Sequence, residues 1–291
     1  MNRCLGKAMV GLLAVAVQPA AWATVIVEDF SYSPEGALLR GQTGGSGWSN
    51  PWARNYPSTS TTGRILVHAS GNLTYSLGGY GVEQDGVGYA YGNYNQFRGI
   101  NRTAETPLTG TAWFSILLRD PASAYHTGIQ FNNPAPGGND YSQGPWDVEL
   151  FGTSLIVRYN GTNNTVPGVS LPTGQTHLIL GRITFQQNGA NDRLDVWADP
   201  WSLRSVLDGS LPAAWTANTA NMGVNLSVAG IFAYGNVDGG NGGWADALRL
   251  SDGGGDTTRA FYDVTGIPEP ATLSLLALGG LALARRKRRR A

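Results

Sequence analysis

Cysteine is all but missing: the 291-residue chain has one, Cys4. It lies in a segment that reads as a removable leader, so the mature body carries no thiol. Disulfides, thiolate metal sites and cysteine nucleophiles are thereby excluded together. Charge is scarce as well, at 14% of residues, and Lys occurs only at positions 7 and 287. The three histidines, His68, His126 and His177, are too scattered for H-E-x-x-H or another recognisable metal spacing. No G-x-S-x-G elbow and no phosphate-binding P-loop occurs, which removes the best-marked hydrolases and NTPases. No internal period of 20–50 residues is found, so solenoid and propeller repeats are excluded.

Glycine and proline are plentiful, at 41 and 15 residues, about a fifth of the chain. That is too much for a helical bundle, and without a G-x-y period it is not collagen. Nine Trp, twelve Tyr and eight Phe supply the bulky apolar surface a real core needs. The composition points to a loop-rich all-β protein. Residues 24–266 carry twelve basic side chains, all Arg, against nineteen acidic ones, a net charge of −7. A negative body argues against a nucleic-acid partner, whose basic groove belongs in the folded part.

The remaining cations mark the two ends. Arg3 and Lys7 precede the apolar run 8–17, and Ala21-Trp22-Ala23 forms a small-x-small cleavage site that leaves Thr24 first in the mature chain. Ten apolar residues in a helix reach about 15 Å, half the hydrocarbon core, so residues 1–23 read as a signal peptide rather than an anchor. At the other end Pro268-Glu269-Pro270 is followed by an uncharged, mostly apolar stretch, 271–284, and then by Arg285, Arg286, Lys287, Arg288, Arg289 and Arg290. Fourteen helical residues span about 21 Å, a marginal transmembrane anchor that Gly279-Gly280 weakens further. The six cations hold their end in the cytoplasm and leave the body outside.

These three parts resemble the PEP-CTERM sorting tail of Gram-negative bacteria. The resemblance implies recognition by exosortase after export, an inner-membrane-anchored intermediate facing the periplasm, and a destination at the cell surface or in the matrix. Bearers of such tails usually belong to organisms that make exopolysaccharide or biofilm, which makes exopolysaccharide a candidate partner.

Between the ends, β-rich runs bounded by Gly, Asn, Asp or Pro fall at 24–30, 64–68, 87–91, 111–119, 147–151, 154–159, 177–185, 192–198, 228–234 and 245–250. In 192–199, Leu194, Val196 and Ala198 share one face, and Arg193, Asp195, Trp197 and Asp199 the other. The first face is expected in a core and the second in water, which suits two antiparallel sheets packed as a sandwich. The one helix expected in the body is short, around 201–207. Glu28-Asp29-Phe30, Gly41 through Trp48, Asn191 through Trp197 with Pro200, and Trp244 through Leu250 resemble PEP-CTERM proteins with a concanavalin A-like, LamG-type jelly roll. That resemblance implies a fold and a location, and no chemistry.

Three candidate sites follow from the residues. Trp197 beside Arg193, Asp195 and Asp199 offers an aromatic plane with hydrogen-bonding groups, as a sugar ring requires, with Trp48, Trp52 and Trp146 as weaker candidates. Asp238, Asn241, Asp252 and Asp256 put oxygens on Gly-rich loops, as a Ca²⁺ site would; no other cofactor is expected. Asp147 and Glu149 are two apart on a strand, where paired carboxylates can divide acid and base work. The body is expected to be a non-catalytic envelope or matrix protein, with a lectin-like module and a polysaccharide hydrolase or lyase as alternatives. Deleting 267–291 is expected to shift the body from the membrane fraction to the soluble exported fraction of fractionated cells; retention in the membrane would contradict the anchor.

Overall fold

The computed structural model describes residues 23–54, 65–69, 71–77, 80–82, 89–92, 98–120, 126–131, 146–159, 162–188, 191–220, 223–234 and 243–268. The strands of the first half are β1 (Val25–Glu28), β2 (Ala53–Arg54), β3 (Ile65–His68), β4 (Tyr75–Leu77), β5 (Tyr80–Val82), β6 (Tyr89–Gly92), β7 (Arg98–Thr109) and β8 (Thr111–Arg119). They continue with β9 (His126–Phe131), β10 (Trp146–Phe151), β11 (Ser154–Tyr159), β12 (Thr162–Thr165), β13 (His177–Asn188) and β14 (Asn191–Ala198). Helix α1 (Leu203–Leu207) follows, then β15 (Trp215–Ala220), β16 (Asn225–Tyr234), β17 (Trp244–Ser251) and helix α2 (Thr257–Thr265).

Two antiparallel sheets make the sandwich. One runs β15-β14-β13-β8-β17-β6-β3, with β1 paired to β17, and the other β12-β11-β10-β9-β16-β7-β2. Between them lies a core of Ile116, Phe114, Phe131, Trp146, Val148, Ile179, Leu194 and Ile231. The expected strands 111–119 and 154–159 form within the same bounds. Strand β7 was not expected, because Gly99, Pro107 and a polar run hide its apolar alternation. Pro107 falls where the β16 register shifts between Leu226 and Val228, which spares a ladder hydrogen bond.

The larger sheet departs from the expected polar outer face. Strand β8 reads T-A-W-F-S-I-L-L-R and is buried on both sides. Its outward Trp113 and Leu117 join Leu178, Leu180 and Trp197 under Leu203 and Val206 of α1 and Ala260, Phe261 and Val264 of α2. Trp113 stacks on Trp197 at 5.5 Å and meets Phe261 edge-on at 5.0 Å. Helix α2 starts where Asp256 accepts the N–H groups of Thr258 and Arg259, and stops at Gly266, whose φ of 68° suits glycine. The flanking Gly253-Gly254-Gly255 reads as a plain turn in sequence, which is why this helix was missed.

One buried carboxylate ties the two sheets. Glu28 of β1 accepts from the Phe30 N–H at 3.0 Å, Tyr32 Oη at 2.9 Å, Trp52 Nε1 at 3.0 Å and Arg102 Nη1 of β7 at 2.8 Å. Arg102 also donates to the carbonyls of Gly44 and Asn50, and its guanidinium lies over Trp48 and Trp52 at 5.1 and 5.7 Å. Burial pushes the Glu28 carboxyl up, against the pull of Tyr32 and Arg102. Arg102→Met leaves this acid buried without its cation and is expected to cost about 3–5 kcal/mol in denaturant unfolding. A loss below about 1 kcal/mol would show that the pair adds little.

Candidate functional site

Strand β10 sends Trp146, Val148 and Leu150 into the core, so Asp147, Glu149 and Phe151 share the opposite, outward face. The register then decides their neighbours. Asp147 sits between Gln130 of β9 and Arg158 of β11, and the same rung continues through Gly230 to Asn101 on one side and to Asn163 on the other. Glu149 is flanked by Gly128 and Ile156, and Phe151 by His126 and Ser154. Gly128 is glycine for a reason: a Cβ there would lie 2.6 Å from the Phe232 ring and 2.8 Å from the Glu149 Cβ.

The side chains interlock. Glu149 receives His126 Nδ1 at 3.1 Å and Arg158 Nη2 at 3.4 Å, and Arg158 Nε donates to Asn163 Oδ1. Asp147 lies 3.6 Å from Arg158 Nη1, and its Oδ1 has no hydrogen-bond partner among the described residues. Burial and the Glu149 charge outweigh Arg158 and hold the Asp147 carboxyl well above the usual carboxylate range. Asp147 therefore keeps its proton to a higher pH than an exposed aspartate does. The His126 and Phe151 rings stack at 3.9 Å, and Phe151 is 39% exposed, whereas Asp147, Glu149 and Arg158 are buried.

The site expected on β14 is closed. Trp197 is only 5% exposed, with its Nε1 donating to the Leu211 carbonyl at 3.2 Å. Asp195 is buried and receives Arg182, Arg193 and Thr216 at 2.7, 3.0 and 2.8 Å. Asp199 lies in a turn and holds His177. These four residues thus form no open aromatic platform, because α1 and α2 cover the face that alternation assigned to water. Trp52 and Trp146 are core and Trp48 packs against it. Among the Ca²⁺ candidates, Asp252 and Asp256 are spent as caps, accepting from Gly254 and from Thr258 and Arg259. Asp238 and Asn241 lie outside the described residues. Among the described residues no three His, Cys, Asp or Glu gather as a metal site.

Of the processing residues, Ala23, Thr24 and Pro268 are described, and Ala21, Glu269, Pro270, the stretch 271–284 and Arg285 to Arg290 lie outside the described residues. Among the described residues no helix is long and apolar enough to cross a membrane. Residues 266–290 match the PEP-CTERM protein-sorting motif, the mark of an exported protein processed by exosortase. No curated protein matches the chain. Solved structures to which the chain is similar include the Emp47p carbohydrate recognition domain, at 9% identity over 78% of this chain and 96% of that one, TM-score 0.40. Apo Crh5 transglycosylase gives 12% over 79% and 85%, TM-score 0.41, and lectin II from Ulex europaeus 9% over 69% and 97%, TM-score 0.35.

A second buried polar unit, which sequence gave no hint of, fixes a protonation state. His177 Nδ1 lies 2.6 Å from Asp199 Oδ2 and Nε2 2.8 Å from the Pro172 carbonyl. Both partners can only accept, so the ring carries two protons. Burial opposes that charge, but the Asp199 and Pro172 hydrogen bonds and the Asp199 charge win, and the His177 pKa is raised. The stabilisation is thus complete below the unfolded value of about 6.5 and is lost as pH rises through the folded one. His177→Gln is expected to remove the part of the melting-temperature fall that the parent shows above pH 6.5; an identical pH profile in the two proteins would contradict this.

Proposed function

We propose that this is an exosortase-sorted envelope or matrix protein whose sandwich holds a glycan on the outer face of the seven-stranded sheet. The observation that carries the reading is Asp147, a buried acid with one oxygen unpartnered among the described residues, on one outward strand face with Glu149 and the part-exposed Phe151. An exposed aromatic face with donors and acceptors behind it suits a sugar ring, which stacks through its C–H face and hydrogen-bonds through its hydroxyls. The sorting tail supports the location, since it points to an exported protein.

A raised carboxyl two residues from a second one also favours a narrower reading, cleavage of the bound glycan with Asp147 as acid and Glu149 as base or nucleophile. Sugar release from glucan or alginate that Asp147→Asn abolishes would support it. Binding without release leaves the module non-catalytic.

The test is retention on the host's exopolysaccharide. Phe151→Ala and Glu149→Gln are expected to weaken it about tenfold each, as loss of one stacking or charged contact does. Asp147→Asn should weaken binding yet raise the melting temperature at pH 7. A raised folded pKa means that the unfolded chain gives up a proton which the folded one keeps, so stability falls as pH climbs from about 3.9 towards that value, and Asn removes the penalty. Unchanged retention in all three variants would overturn the site.

A further inference from the structure

The first mature residue sits against a carboxylate. Thr24 N–H donates to Asp252 Oδ1 at 3.3 Å. The same carboxyl accepts Gly254 N–H on Oδ1 at 2.9 Å and Thr109 N–H on Oδ2 at 3.3 Å. Asp252 is buried, and all three donors are neutral amides. One carboxylate thereby joins the start of β1, the end of β7 and the turn that leads into α2, from which the sorting tail departs.

We propose that removal of the leader after Ala23 converts the Thr24 nitrogen into an ammonium that pairs with Asp252, locking the N terminus beside the root of the sorting tail. Hydrolysis adds one water across the Ala23–Thr24 amide. The departing leader keeps the Ala23 carboxylate, and Thr24 keeps a protonated amine. A polar contact of 3.3 Å then becomes a charge-assisted one, with three donors in place of one and a buried oxygen pair already aimed at it.

The other acids on the elements around this corner, the exposed Glu105 of β7 apart, are engaged elsewhere. Glu28 is held by Arg102 and Asp246 by the Leu73 and Ala247 N–H groups. Asp263 takes the Ser251 hydroxyl at 2.6 Å, and Asp256 caps α2. The cations on β17 and α2 are Arg249 and Arg259, and Glu105 is the remaining acid on β7. Asp252 is thus the carboxylate placed to receive the new charge. The lock rests on the export reading of the N terminus and is independent of any glycan.

The test compares chains with the native C terminus in mild detergent, one beginning at Thr24 and one keeping Trp22 and Ala23, each with Asp252 and with Asp252→Asn. At pH 7 the Thr24 form should melt about 2–4 °C above the extended form, as a modest gain does in a domain of this size. The gap should vanish at pH 10, where the amine is neutral, and in the Asp252→Asn pair. Equal midpoints at pH 7, or a gap that survives at pH 10 or without Asp252, would overturn the lock. Should Asp252→Asn fail to fold, the Thr24 amine decides by NMR titration: a pKa above the usual value of about 7.7–8.0 is expected, and one at or below it contradicts the pair.

Discussion

The contact between Glu28 and Arg102 is the constraint on which the sandwich rests. It joins β1 of one sheet to β7 of the other through a 2.8 Å bond between side chains that are almost fully buried. An acid so deep is tolerable only if its oxygens are filled, and Tyr32, Trp52 and the Phe30 amide fill them. The chain from 29 to 54 is wound about this pair, with Trp48 and Trp52 walling in the guanidinium. The glycines at 44, 45 and 47 let the loop approach, since a Cβ on Gly47 would come within 2.7 Å of the Val25 carbonyl oxygen. Without this tie the first strand would be held by its pairing with β17, the Val27–Ser46 bridge and Ile26 in the core.

Buried carboxylates follow one rule through most of the body. Glu28, Asp195, Asp246 and Asp252 each accept from two or more donors, so each is stabilising only in company. Asp147 departs from it. One oxygen has no partner among the described residues, its cation is shared with Glu149, and burial raises its pKa. Such a group costs the fold stability, and this is the observation behind the glycan site proposed on the outer face of the smaller sheet.

The strand β10 was legible because W-D-V-E alternates cleanly, and the pair Asp147 and Glu149 came with it. Their partners were not. His126 and Arg158 reach the pair through the β9 and β11 registers, which no local pattern encodes, and β9 itself was hidden by Gly128, whose missing side chain makes room for Phe232. Alternation in β14 was read correctly along the strand and wrongly in depth. Leu194 and Val196 face the core as expected, but Trp197 meets a second apolar layer supplied by α2, a helix masked by its flanking glycines. A period of two tells which side chains share a face, and only the rest of the chain tells what covers it.

The protonation of Asp147 is the point at which the functional account is most exposed. Carbon-detected NMR of its carboxyl between pH 3 and 8, with and without exopolysaccharide, measures it directly. The carboxyl is expected to keep its proton above the usual aspartate value of about 3.9, and its resonance to move with those of Glu149, His126 and Phe151 when the polysaccharide is added. A carboxyl that titrates at or below that value, or a response confined to residues elsewhere in the body, would contradict this.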